Sequence, residues 1–113
     1  MTRIEPVDVA TLKSWLDAAQ AIVLDVREME EYEEAHIDGA ILIPVETCGP
    51  ATLPHNPDKH VVFYCKKGGR AARACKACTT HMPQRAVYNL EGGLEAWEAA
   101  GLPLVRGVDA GRL

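Results

Sequence analysis

The sequence predicts an α/β fold on a mainly parallel sheet, and three observations carry the prediction. Short apolar segments alternate with amphipathic ones from one end of the chain to the other, as successive βα units require. The apolar runs Ile22-Val23-Leu24, Ile41-Leu42-Ile43 and His60-Val61-Val62-Phe63-Tyr64 have strand length and end at a turn or a change of polarity. Between them lie stretches whose apolar residues recur at helical spacing.

The elements follow in order. Pro6 suits the first position of a helix, where its missing N–H has no partner to lose and its φ is already helical. Val9, Leu12, Leu16 and Ala19 continue that helix on one face. Ile22-Val23-Leu24 is a short buried strand that runs into Asp25-Val26-Arg27. Residues 28–35 form a polar, acidic helix anchored by Tyr32, with its glutamates on a solvated face rather than in a metal site. Gly39-Ala40 then turns the chain into a second buried strand, Ile41-Leu42-Ile43, stopped by Pro44. Pro50, Pro54 and Pro57 leave 48–58 without periodicity, so it reads as an extended surface loop. His60 to Tyr64 is a strand, 71–80 a helix and Ala86 to Leu90 another strand. Gly92-Gly93 opens a last helix that holds Leu94 and Trp97 against the core. Gly101 caps that helix and Pro103 prevents its resumption.

The 113 residues fit one domain over 1–113, with its core over about 4–105 and 106–113 as a flexible tail. An apolar content of 48%, 25% charged residues and a pI near 5.5 describe a soluble globular protein. No apolar run approaches the ~20 residues that span a bilayer, so no membrane role is expected. The first residues lack the apolar core of a secretory signal, which makes the cytoplasm the expected compartment. A net charge of −4 argues against nucleic acid as a partner. In a reducing compartment the four cysteines, Cys48, Cys65, Cys75 and Cys78, stay unpaired.

Cys65 stands apart from the other three. It opens Cys65-Lys66-Lys67-Gly68-Gly69-Arg70, between the strand ending at Tyr64 and the helix from Ala71. Gly68 and Gly69 allow a tight turn that directs backbone N–H groups inward, and the following helix adds the positive end of its dipole. Lys66, Lys67 and Arg70 concentrate positive charge in a chain that is negative overall. In such surroundings a cysteine pKa can fall from ~8.5 into the ~3.5–7.5 range, where thiolate is a major species at neutral pH. Cys65 is therefore the candidate nucleophile, at the floor of an anion cradle. An inert buried thiol fits Lys-Lys-Gly-Gly poorly, since these residues cannot continue a core strand.

The remaining candidates have simpler explanations. Ala71, Ala74, Cys75, Cys78 and Met82 share one helical stripe, with Arg73, Lys76 and Thr80 opposite, so Cys75 and Cys78 read as core. A redox pair would sit at a helix start, and zinc on Cys75, Cys78 and His81 would need a fourth ligand. Cys48, in the Pro-rich loop, reads as an incidental surface thiol rather than a resolving one. His36 fixes a turn through its ring, and Asp25 with Arg27 form a structural ion pair near the site's rim.

Four stretches together resemble the rhodanese (thiosulfate sulfurtransferase) family in its small single-domain form. They are Leu24-Asp25-Val26-Arg27-Glu28, His36-Ile37-Asp38-Gly39-Ala40, the Cys65 to Arg70 loop with its Cys-x-x-Gly-x-Arg pattern, and Glu91-Gly92-Gly93-Leu94-Glu95-Ala96-Trp97. The likeness runs from about Ile4 to Val105. It implies a five-stranded mainly parallel sheet flanked by helices, with Cys65 as the sulfur carrier and the loop around it as the substrate-binding element. The chain departs from the family at Ala35, where glycine is common, at Ala71, where serine is common, and in its Pro-rich 48–58 segment.

The chemistry so implied is a thiosulfate sulfurtransferase that needs no cofactor or metal. Small sulfur donors meet Lys66, Lys67, Gly68, Gly69 and Arg70. Cys65 takes up sulfane sulfur as a persulfide and hands it to cyanide or a thiol, with ping-pong kinetics. Two alternatives remain open at this point. A persulfide carrier would deliver sulfur to a protein partner, with Lys66 and Lys67 meeting an acidic surface. A Cys-based phosphatase or arsenate reductase also uses a Cys-to-Arg cradle, although four intervening residues make a tighter ring than the five of a phosphatase loop.

Overall fold

The computed structural model describes residues 3–54, 58–80 and 86–107. Five strands, β1 (Arg3–Val7), β2 (Ala21–Asp25), β3 (Ile41–Leu42), β4 (His60–Tyr64) and β5 (Ala86–Leu90), form one parallel sheet in the order β1-β5-β4-β2-β3. Among the described residues four helices flank it: α1 (Val9–Asp17), α2 (Met29–Glu34), α3 (Gly69–Thr79) and α4 (Gly93–Ala99). The α/β class and the five-stranded sheet expected from the sequence are both present. β4 shows why both faces are covered. Val61 and Phe63 join a core cluster with Ala71, Ala74, Cys75 and Cys78 of α3, whereas Val62 and Tyr64 join Leu12, Tyr32, Leu94 and Trp97 on the other face. A central parallel strand buried on both sides is continuously apolar for this reason.

Three readings of the chain need correction. Pro6 is inside β1, opposite Asn89, and not at the start of a helix. β1 is an edge strand, and an edge tolerates a residue with no N–H because one side of the strand has no neighbour to bond. Helix α1 begins instead after Asp8, whose side chain accepts from Thr11 N at 2.8 Å. β3 is not a buried strand: it is a two-residue edge, and Ile41 is 46% exposed. The Pro-rich segment is not wholly an extended surface loop either. Short 3-10 turns at Val45–Thr47 and Pro50–Thr52 fold it back, so that Leu53 is buried and Cys48 packs against the α3 cluster. Proline with its fixed φ suits such turns and leaves no periodic pattern to read.

The C-terminal end of the described chain is tied down. Val105 and His36 exchange backbone hydrogen bonds at 2.9 Å, Gly107 N donates to Glu33 O at 2.6 Å, and Arg106 Nη1 donates to Glu34 O at 3.1 Å. Arg106 and Gly107, assigned to the tail, thus bond to α2, and 108–113 lie outside the described residues. Gly101, at φ 75°, closes α4 as expected, and Trp97 Nε1 donates to Pro103 O at 2.9 Å.

Candidate active site

The carboxyl ends of the parallel strands gather the groups that the sequence singles out. Cys65 follows β4 directly and is only 2% exposed, so its sulfur sits at the bottom of the loop rather than on its surface. Gly68 N–H donates to Cys65 Sγ at 3.0 Å. It does so from φ 129°, ψ −22°, a conformation that a side chain rarely permits. Gly69 starts α3, whose first amides lie beside the turn. Lys66 and Lys67 are exposed and form no ion pair among the described residues.

Arg70 is placed differently from its expected role. Both arms of its guanidinium are held by Glu31, Nη1 to Oε1 at 2.7 Å and Nη2 to Oε2 at 2.9 Å. That fork pulls Glu31 down to about 2 and raises Arg70 in turn. The glutamates of α2 therefore are not all a solvated face. Glu31 also accepts from Glu28 N at 3.1 Å, so one carboxylate caps α2 and clamps it to the start of α3. Only the fold brings these residues together across 39 positions of sequence.

Two further contacts hold the loop, and neither stood out in the sequence as part of a site. The carbonyls of Cys65 and Lys66 accept from Leu94 N at 2.8 Å and Glu95 N at 3.1 Å, which fastens the loop to the first turn of α4. The approach is so close that a Cβ on Gly93 would lie 2.5 Å from both carbonyl oxygens. From β5, Asn89 Nδ2 donates to Gly68 O at 3.2 Å. The Gly92-Gly93 pair was a visible signal for the first contact. A polar residue with low strand preference in Val87-Tyr88-Asn89-Leu90 was the signal for the second.

Beneath the rim lies a buried ionic network. Asp25 and Arg27 are 0% and 4% exposed and pair through Arg27 Nη2 to Oδ2 at 2.7 Å and Nε to Oδ1 at 3.0 Å. Tyr64 donates its hydroxyl to Asp25 Oδ2 and accepts from Ile37 N at 3.2 Å, and Arg27 Nη2 reaches Ala35 O at 2.6 Å. Burial first, and then the Asp25 charge, push the Tyr64 phenol far above its ordinary value, so it stays a donor. The network is the structural ion pair expected of Asp25 and Arg27. His36 likewise fixes its turn: its Nδ1 contacts Tyr32 O at 2.8 Å and its ring stacks on Tyr32.

The other thiols have no part in this cradle. Cys75 and Cys78 are fully buried on the inner stripe of α3, and Arg73, Lys76 and Thr80 face outward. Met82 and His81, which completed the stripe and the hypothetical ligand set, lie outside the described residues. Burial pushes the Cys75 thiol up to about 12. Cys48 is half-buried rather than on the surface, in contact with Cys78, and its thiol is also raised to about 12, by burial first and by Cys78 second. Thiols so displaced remain protonated at neutral pH and are poor nucleophiles.

A cleft of about 180 Å³ opens beside Lys66, with Ala35, Leu94 and Leu104 as apolar lining and Glu31, Glu34, Glu95 and Glu98 as carboxylates. Lys67 and Gly68 border a second hollow, of about 290 Å³, with Pro6, Asn89 and Glu91. The surroundings of the basic loop are thus acidic.

An α/β domain with one thiol at the end of its central strand, under a Cys-x-x-Gly-x-Arg turn, defines a class that comparison with known proteins makes specific. The family profile described as "Rhodanese-like domain" matches residues 8–100, and the chain belongs to that family. A sulfurtransferase of Allochromatium vinosum is 33% identical over 90 residues, covering 79% of this chain and 82% of that protein. The protein named "Probable adenylyltransferase/sulfurtransferase MoeZ" from Mycobacterium tuberculosis is 42% identical over 91 residues, 76% of this chain and 22% of the relative. The chain spans only about half or less of several curated relatives, 53% of one from Synechocystis. Among solved structures, the thiosulfate sulfurtransferase of Pseudomonas aeruginosa superposes with a TM-score of 0.79 at 25% identity, over 93% of this chain and 21% of that one.

Proposed function

We propose that the chain transfers sulfane sulfur from thiosulfate or a similar donor to cyanide or a thiol, through a persulfide on Cys65. The observation that carries this reading is the Gly68 N–H at 3.0 Å from a sulfur held at the floor of the loop. The Cys65 thiolate attacks the outer sulfur of thiosulfate, an S–S bond forms to Cys65, and the donor's S–S bond breaks to release sulfite. Cyanide or a thiolate then takes the terminal sulfur and returns the Cys65 thiolate. Charge balances in both half-reactions, and no metal or organic cofactor enters. Lys66 and Lys67 are suited to receive an anionic donor, and Gly68 and Gly69 supply backbone amides. Arg70 serves the loop by being clamped to Glu31. A four-residue ring around one added sulfur also favours this chemistry over phosphate-ester or arsenate chemistry. Four unpaired cysteines suit the reducing cytoplasm, and 1–113 is read as one rhodanese-like domain.

A second reading is favoured by one feature. The carboxylates of Glu34, Glu95 and Glu98 beside Lys66 disfavour a dianionic donor and favour a basic face on a protein acceptor, which suits a persulfide carrier. The acidic partner surface expected from Lys66 and Lys67 alone fits this rim less well.

Intact mass spectrometry after thiosulfate treatment tests the main reading. Wild type should gain one sulfur atom, mapped to Cys65 and discharged by cyanide, and Cys65→Ser should gain none there. Label retained by Cys65→Ser, or a wild type that never takes it up, defeats persulfide transfer. Faster discharge to a protein thiol than to cyanide selects the carrier.

A further inference from the structure

We propose that Asn89 is a positioning residue for the site: its amide pins the Gly68 carbonyl and so keeps the Gly68 N–H aimed at the Cys65 sulfur. Asn89 touches no reacting atom. It acts through Gly68, which has no side chain to fix its conformation.

The residue is unusual for its place. Asn89 pairs with Phe63 of β4 and with Pro6 of β1, so it lies inside the sheet, where asparagine is disfavoured. Two positions after Val87, it shares the face of β5 on which Val87 joins the α3 cluster. Its Oδ1 is buried and finds no hydrogen-bond donor among the described residues. A buried, unpaired carbonyl oxygen destabilises a protein, and an apolar side chain of similar size would remove it. The amide end must therefore contribute something packing does not. Reversing the amide would set Oδ1 against Gly68 O at 3.2 Å, oxygen against oxygen, so the donor orientation is the one that fits.

What Nδ2 reaches decides its role. Gly68 O accepts from Asn89 Nδ2 at 3.2 Å and from Ala72 N at 3.0 Å, the first turn of α3. Gly68 N–H, on the other side of the same α-carbon, donates to Cys65 Sγ at 3.0 Å. With φ 129° and no Cβ, Gly68 has more accessible conformations than any other residue type, and several of them turn its N–H away from sulfur. Fixing its carbonyl from a rigid strand selects the one in which the donor faces Cys65. A donor held in place before reaction stabilises the thiolate and the terminal sulfur without reorganising.

The catalytic consequence rests on the persulfide reading, but the effect on the thiol does not. Two neutral variants test them, Asn89→Leu, which removes the orphaned oxygen and the donor and keeps the bulk, and Asn89→Ala, which removes the same two groups by truncation. The readouts are thermal unfolding, the rate of Cys65 alkylation by iodoacetamide at neutral pH followed by peptide mapping, and kcat and KM for thiosulfate. Asn89→Leu should melt no lower than wild type yet alkylate several-fold more slowly at Cys65. Its kcat should fall by about tenfold, the loss of roughly one hydrogen bond to a charged sulfur, with KM changed less than about twofold. Alkylation and kcat equal to wild type overturn the proposal, as does a loss that only follows a lowered melting temperature. If Asn89→Leu does not fold, Asn89→Ala decides by the same two rates. Slower alkylation in a protein that transfers no sulfur even as wild type would uphold the positioning role and reject the sulfur-transfer reading.

Discussion

Glu31→Gln, Arg70→Gln and the double variant isolate the clamp between α2 and the start of α3. The amide that replaces the Glu31 carboxylate keeps an oxygen to accept from Glu28 N, so the substitution removes charge and leaves the helix cap. In the folded protein Glu31 titrates at about 2 against an ordinary 4.5. That fall corresponds to about 3 kcal/mol if taken whole. Both side chains are close to one third exposed, 32% for Arg70 and 31% for Glu31, and solvent screening reduces the figure to about 1 kcal/mol. Each single variant should therefore lose about 1 kcal/mol in urea denaturation at neutral pH, and the double variant little more than either, since both remove one interaction. The pH dependence follows from the direction of the shift. A depressed carboxylate contributes fully above pH 4.5, and the contribution disappears as pH falls through about 2. The advantage of wild type over Glu31→Gln should accordingly shrink below pH 4.5, with more than half gone by about pH 3. Sulfur transfer should fall to a similar extent in all three variants. Additive losses, or an advantage unchanged between neutral pH and about pH 3, would refute the clamp.

Gly93→Ala should remove activity and lower stability together, by about 3 kcal/mol or more, because its Cβ meets two carbonyl oxygens at 2.5 Å from a φ of 60°. Calorimetry beside the transfer assay checks this, and a variant with native melting and turnover contradicts the close approach. Cys78→Ala should lose roughly 1–2 kcal/mol in urea denaturation and keep full turnover, since it deletes a buried sulfur remote from the loop. Loss of turnover without loss of stability would show that this thiol belongs to the chemistry.

The central elements were legible because their physics is local. β4 is apolar throughout since both its faces are covered, and the stripe Ala71, Ala74, Cys75, Cys78 reports which side of α3 meets the sheet. The Cys65 loop was legible for the same reason: thiol, glycines and helix start are contiguous. β1 was hidden because Pro6 is acceptable both at a helix start and on a sheet edge, and only pairing with β5 decides between them. The 45–53 segment was hidden because 3-10 turns leave no long period. The partners of Glu31 and Asn89 were hidden because a side chain that acts on a loop tens of residues away leaves no spacing to read. Their neighbours in sequence say nothing about their partners.

The basicity of the loop shows where a count of charges falls short of a site. Lys66, Lys67 and Arg70 lie close together, yet Arg70 is neutralised by Glu31, and Glu34, Glu95 and Glu98 line the cleft beside Lys66. Lys66 and Lys67 remain, both exposed and therefore screened. Their pull on a donor is a matter of encounter more than of holding a charge on sulfur. The group that does reach Cys65 is a backbone amide, placed by a glycine conformation, an asparagine on β5 and the first turn of α4. Backbone dipoles fixed by that many contacts would not relax as charge moves between sulfurs in the proposed transfer, and they act at a thiol that is only 2% exposed. On the proposed persulfide mechanism, mutating both lysines should thus alter donor KM and its salt dependence and leave single-turnover discharge of the persulfide largely intact. A discharge rate that collapses without them would return the site's electrostatics to the side chains.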